Sequence, residues 1–288
     1  MVAKEPVNIA ASVKQRLLNL ARAEGQLFDV LLVRFALERL LYRLANSKHR
    51  DRFILKGGML VTLWLEEDNR TTRDIDFLGR GDANGESLKA AFAEIMSIEC
   101  DDGLKFDIDK LSVTTIREEM EYGGTRLQTV AYLERTRIPI TVDIAFGDAL
   151  ADGPTEVAYP SLLDMEAPKV RTYPPATVIA EKFQAMVALG RANSRMKDYY
   201  DLWAIPKTLT IDERELDDAI AATFARRRTA IPSERPDGLS AAFAGDELKQ
   251  RQWRAYARSL ELDGVSFDEV VEAVWALVAP SCGRLLTR

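Results

Sequence analysis

The sequence predicts an α+β protein, with a small mixed sheet flanked by helices and followed by a helical C-terminal domain. Three observations carry that expectation. Two segments with helical apolar spacing open the chain, short strand-like runs broken by glycine fill the middle, and helical spacing dominates from Thr177 onward. At 288 residues and 47% hydrophobic content, the chain can bury a core larger than one small domain requires. The expected division is an N-terminal helical segment at 1–50, a sheet core at 51–170 and a helical domain at 171–288.

Residues 9–23 and 26–46 have helical spacing and are separated by Gly25, which predicts a helical hairpin. The apolar stretch 27–45 is interrupted by Asp29, Arg34, Glu38, Arg39 and Arg43, so it reads as a buried amphipathic helix and not a membrane span. The start of the chain lacks a signal-peptide pattern, and a cytoplasmic location is expected. Phe53-Ile54-Leu55-Lys56 reads as a brief strand, after which Gly57-Gly58 opens a helix through Leu65. Arg73-Asp74-Ile75-Asp76-Phe77, closed by Gly79, reads as a second strand, and Glu86 to Glu99 as a helix.

Leu104 to Ile116, Thr125 to Glu134 and Arg137 to Phe146 are expected to form an antiparallel meander, with a turn at Tyr122-Gly123-Gly124. The proline-rich stretch 154–175 has no sustained period and reads as a linker. Helices follow, divided by a break at 230–238 that is rich in proline and charge.

Composition narrows the chemistry. Cys100 and Cys282 are far apart and belong to no metal-spacing motif, while the sole histidine, His49, lies in a basic run that reads as a solvated connection. Cysteine zinc sites and histidine triads are therefore disfavoured, leaving carboxylates, lysines and metal to carry any catalysis. The net charge of −6 argues against indiscriminate nucleic-acid binding.

The acids supply the first candidate site. In a strand, Asp74 and Asp76 share a face with Cα atoms roughly 6.5–7 Å apart, within reach of one divalent cation. Like charges side by side on a strand call for neutralisation, and Mg²⁺ or Mn²⁺ would suit hard carboxylate oxygens. A solvated strand end bearing two surface acids is the competing reading. Asp143 adds a third acid, since Ile138, Ile140, Val142, Ile144 and Phe146 form one apolar face of their strand and leave Asp143 on the other with Thr141 and Ala145.

Cations and a glycine turn supply the second half. Gly57-Gly58 at a helix start lets backbone N–H groups approach a phosphate, with Lys56 adjacent, and a tight structural turn is the competing reading. Lys182 falls on a helix face with Val178, Ala185, Met186 and Leu189, so its ammonium either snorkels to solvent or meets an anion, a triphosphate or a nearby carboxylate. Ser194 is a candidate cap for the next helix, Lys197 and Asp201 are placed to pair, and Asp198 either forms a structural ion pair or orients Lys182 or Arg195 for the nucleotide. Asp107 and Asp109 read as a solvated strand face, and the run Arg226-Arg227-Arg228 as solvated surface or an RNA contact.

The ordered set Leu55-Lys56-Gly57-Gly58, Arg70 to Phe77, Val142-Asp143, Ala180-Glu181-Lys182 and Arg195 to Leu202 resembles the AbiEii/AbiGii toxin family of nucleotidyltransferases, which includes MenT-like toxins. The resemblance spans about residues 50–205. It implies a polymerase-β-like nucleotidyltransferase core, a divalent metal, an NTP donor, a tRNA acceptor end in MenT-like members and a separately encoded antitoxin. Gly57-Gly58 departs from the Gly-Ser usual in the wider superfamily, which shifts phosphate binding toward backbone N–H groups. On this reading Asp74, Asp76 and Asp143 hold the metal, Lys56, Gly57, Gly58, Thr72, Arg73, Lys182 and Asp198 contact the nucleotide, and Lys182 is counted with the three acids as catalytic. Phosphorylation at Thr71 or Thr72 would set negative charge beside that site. A carboxylate-metal phosphohydrolase or nuclease, nucleotidylation of a protein or small molecule, and a non-catalytic nucleotide-binding protein remain as alternatives.

Overall fold

A computed structural model of the protein describes residues 8–65, 72–116, 124–151 and 153–287. The architecture is α+β. The chain divides into two compact units, the first made of Met1–Leu60, Thr71–Gly147 and Thr155–Thr172, the second of Val61–Arg70, Asp148–Pro154 and Tyr173–Arg288.

The first unit is built on an eight-stranded mixed sheet, larger than the sequence predicted. Its elements in chain order are α1 (Ile9–Glu24), α2 (Phe28–Ala45), β1 (Phe53–Lys56), the start of α3 (Gly57–Leu65), β2 (Ile75–Gly79), α4 (Gly85–Met96), β3 (Leu104–Phe106), β4 (Ser112–Ile116), β5 (Gly124–Leu133), β6 (Thr136–Phe146), β7 (Thr155–Ala158) and β8 (Lys169–Thr172). The strand order is β3-β5-β6-β2-β1-β8-β7, with β4 paired to β5. Strand β2 runs antiparallel to β1 and parallel to β6. Asn8 caps α1 through its side chain, and Gly25 ends that helix in the left-handed conformation that glycine adopts without strain. Phe53, Phe77 and Phe92 pack together from β1, β2 and α4, with ring centroids 4.9–6.2 Å apart. The alternation read in β6 holds, since Ile138, Ile140, Val142 and Ile144 are all buried.

Three expectations change here. Leu104 to Ile116 is not one strand, because the Asp107 side chain accepts from the Lys110 N–H and caps a 3₁₀ turn over Ile108–Lys110. Asp107 and Asp109 therefore do not form a strand pair. The stretch 154–175 is not a plain linker, since β7 and β8 form a hairpin within it and β8 pairs with β1. Its prolines lie outside both strands, where their missing N–H costs no ladder bond. Residues Tyr122 and Gly123 of the predicted turn lie outside the described residues.

Helix α2 carries charges into the core of this unit. Arg39 and Arg43 both reach the Asp102 carboxylate, and all three side chains are no more than 4% exposed. Glu38 accepts from the Leu162 N–H at 2.9 Å. These buried charges are paired, as charge removed from water must be.

The second unit is helical, with α5 (Pro175–Leu189), α6 (Met196–Thr208), α7 (Glu213–Arg226), α8 (Ala241–Ala244), α9 (Glu247–Ser259) and α10 (Phe267–Leu286). Tyr199, Phe243, Trp253 and Phe267 form its aromatic centre, with centroids 5.3–5.8 Å apart in the contacting pairs. The Tyr199 hydroxyl donates to the Gly238 carbonyl at 2.8 Å, anchoring the proline-rich break to α6. Ser266 and Glu269 form a reciprocal capping box at the start of α10. Ser194 does not cap α6; the residue before that helix is Arg195, whose N–H donates to Asn193 Oδ1 at 2.9 Å.

Candidate active site

The site in the first unit follows from strand register. Lys56 of β1 stands opposite Asp76 of β2, Asp76 beside Asp143 of β6, and Asp143 opposite Arg126 of β5. Side chains at paired positions share a sheet face, so the row across four adjacent strands is Lys56, Asp76, Asp143, Arg126. All four are half-buried. Asp74 lies in a bend one residue before β2 begins and is not in the strand itself, but it remains half-buried beside the row. Its carboxylate accepts a hydrogen bond from the Thr72 hydroxyl at 2.9 Å.

Gly57 is required by this arrangement. A Cβ at that position would stand 1.9 Å from Asp76 Oδ2 and 2.7 Å from Asp76 Cβ, and the residue's φ of +71° is one that side chains rarely tolerate. The Asp76 carboxylate thus lies against the first residue of α3, where the helix dipole favours negative charge. Gly58 follows in the first turn, and Arg73 is exposed just before the acids. Thr71 and Arg70 lie outside the described residues.

Arg126 escaped the sequence reading. Its Nε donates to Asp143 Oδ1 at 2.7 Å and its Nη2 to Oδ2 at 2.6 Å, a bidentate guanidinium–carboxylate pair. The Asp143 bond, with further contributions from Asp74 and Asp76, holds the guanidinium above its ordinary basicity. The signal lay in the hairpin. Counting outward from the turn at Glu134 and Arg135 pairs Leu133 with Thr136, and continuing along both strands brings Arg126 to Asp143.

The donor set suits a hard divalent cation in chemistry, with two carboxylates at paired positions on neighbouring strands. Among the described residues, no three acids, histidines or cysteines are drawn together as a ready metal cage. Here Arg126 supplies the positive charge at Asp143, and an incoming cation would share or replace that contact.

Lys182 lies in the second unit, on α5. Its ammonium contacts both Asp198 and Asp201 of α6, at 2.9 Å in the case of Asp201. Of the two basic partners expected for Asp198, the structure shows a contact with Lys182. Asp201 differs from the expectation, because it meets Lys182 and not Lys197; its side chain is fully buried, out of reach of a surface lysine. In the run at 226–228, Arg227 is not simply solvated, since it donates to Gln184 Oε1 at 2.9 Å and approaches Glu181 and Asp148 at 3.6 Å.

The model of the family described as nucleotidyl transferase AbiEii toxin, type IV toxin–antitoxin system, matches residues 39–273. Among solved structures, the chain is similar to MenT4, a nucleotidyltransferase toxin from Mycobacterium tuberculosis, with 19% identity, a TM-score of 0.55, and coverage of 93% of this chain and 98% of that one. It also matches a putative nucleotidyltransferase from H. pylori at 12% identity and a TM-score of 0.46, over 86% of this chain and 93% of that one. No curated protein matches. No helix among the described residues is long and apolar enough to cross a membrane. With the family model spanning most of its length, the chain belongs to the AbiEii family of nucleotidyltransferase toxins.

Proposed function

We propose that this enzyme transfers a nucleoside monophosphate from an NTP to the 3′ acceptor end of tRNA, in the cytoplasm, under the control of a separately encoded antitoxin, and that it uses Mg²⁺ or Mn²⁺. The observation that carries the metal assignment is the register pairing of Asp76 with Asp143, over a glycine that leaves the Asp76 carboxylate its space. Arg126 meets Asp143 and Lys56 stands opposite Asp76, so a cation bound there would share these carboxylates with the flanking basic side chains.

Asp76 and Asp143 would hold the cation, with Asp74 as the third oxygen donor oriented by Thr72. A divalent ion bound there would neutralise triphosphate charge as the transition state develops. Backbone N–H groups at Gly57 and Gly58, with Lys56 and Arg73, would receive the phosphates. The acceptor hydroxyl oxygen attacks the α-phosphorus, the bond to the β-phosphate oxygen breaks, and pyrophosphate leaves. Asp143 would orient that hydroxyl or take its proton, and the reaction would rely on positioning and electrostatics. Lys182 and Asp198 are assigned to the nucleotide by the motif resemblance. Within their own unit they also form, with Asp201, a buried ionic cluster.

The test is incubation with each NTP labelled at the α-phosphate, first with total RNA and then with total protein as acceptor. Label is expected in RNA of tRNA size, and periodate oxidation of the terminal ribose should abolish it. Label in protein would redirect the assignment to protein nucleotidylation, and release of free mononucleotide to a hydrolase.

A further inference from the structure

We infer that Arg126 is a guanidinium latch on Asp143, which keeps the acidic site from taking a divalent cation alone and yields when the cation arrives with a triphosphate. This rests on the reading of Asp76 and Asp143 as the cation site, and extends it to the order in which ligands are accepted.

The first ground is charge. The row Lys56, Asp76, Asp143, Arg126 carries two cations at its ends and two anions at its centre. Arg126 already neutralises Asp143, so a lone dication adds positive charge beside an arginine seated on one of its ligands. A metal–triphosphate complex is net negative, which removes that penalty, and its phosphate oxygens offer the guanidinium a second bidentate partner.

The second ground is exposure. The Arg126 side chain is 40% exposed and Asp143 17% exposed, so the guanidinium can leave its carboxylate for another anion without crossing a packed core. The other arginine–carboxylate centre of the same unit behaves differently. Arg39, Arg43 and Asp102 are sealed at 4%, 2% and 1% exposure, and Arg43 is fixed further by the Ile98 carbonyl at 3.1 Å. That centre is fixed in the core, whereas the Arg126 pair can exchange partners.

The experiment is titration of Mn²⁺ by electron paramagnetic resonance, with and without an NTP analogue whose α,β-bridge is methylene. Wild-type protein should bind Mn²⁺ alone weakly and gain affinity with the analogue. Arg126→Met should bind Mn²⁺ alone about tenfold more tightly, the scale set by losing one charge-assisted pair, while its gain on adding the analogue shrinks. Arg126→Lys, which keeps charge but loses the fork, should fall between, and it serves if the methionine variant fails to fold. Unchanged or weaker Mn²⁺ binding in both variants, with Asp143→Asn abolishing it, overturns the latch and leaves the site assignment standing. If wild type and Asp143→Asn are alike in binding no Mn²⁺ even with the analogue, the site assignment fails and the latch with it.

Discussion

The two ionic clusters that contain candidate site residues differ in how they are built. In the sheet unit, Arg126 and Asp143 meet on an open face, at 40% and 17% exposure. In the helical unit, Lys182, Asp198 and Asp201 are 13%, 7% and 0% exposed. An exposed pair contributes little stability and is free to exchange partners, whereas a buried one is costly to disrupt because the remaining charge has no water to return to. The same residue types thus form an exchangeable contact in one place and a buried, fixed one in the other. Of the two courses the sequence left open to Lys182, solvent or an anion, it takes the anion, and the anions are carboxylates of the next helix.

The sharpest way to break that contrast is to remove one cation from each cluster. Lys182→Met should lower unfolding free energy by roughly 3–5 kcal/mol, because Asp198 and Asp201 would remain buried without that ammonium. Arg126→Met should cost no more than about 1 kcal/mol. Urea denaturation of both proteins decides the matter, and equal losses would show that the two clusters are not different in kind.

A smaller effect separates geometry from charge. Gly57→Ala forces a side chain into a left-handed backbone and against Asp76. It should cost about 1–2 kcal/mol in stability while depressing nucleotidyl transfer more steeply than thermal melting suggests. Parallel loss of folding and activity, with no excess in activity, would mean that Gly57 serves the turn alone.

The smallest effect probes the sealed acid of α2. Burial pushes the Glu38 carboxyl above its ordinary value of 4.5. The folded protein therefore holds that proton more firmly than the unfolded chain does. Its contribution is most favourable below the unfolded value and declines as pH rises through the folded one. Glu38→Gln keeps an acceptor for the Leu162 N–H and removes the charge, so it should stabilise the protein at neutral pH. The gain should vanish near pH 4. Denaturation at the two pH values checks the sign.

Much of the acid site could be read from residue order. Period-two alternation placed Asp143 on the polar side of an apolar strand, and Asp-x-Asp after a glycine turn marked β2 and α3. Asp74 fell just outside its strand because the strand begins only where Ile75 turns into the core. Arg126 was missed because it is defined by its partner across a hairpin, and no feature of Thr125-Arg126-Leu127 by itself announces a carboxylate opposite. The β7–β8 hairpin was hidden by prolines that bracket two four-residue strands too short to show a period. Lys197 seemed the natural partner of Asp201 by helix spacing, but local spacing does not reveal that Asp201 faces inward toward α5.

The central claim is that Asp76 and its neighbour Asp143 form the cation site of a nucleotidyltransferase. It is tested most directly by following label from an α-labelled NTP into RNA with wild-type protein and Asp76→Asn, each with Mg²⁺ and with chelator. Transfer should occur only with wild type and metal, falling by roughly a thousandfold or more in the variant, the scale of several kcal/mol of lost transition-state stabilisation, while the thermal melt of the variant stays near that of wild type. Near-normal transfer by folded Asp76→Asn, or transfer that persists in chelator, would contradict it.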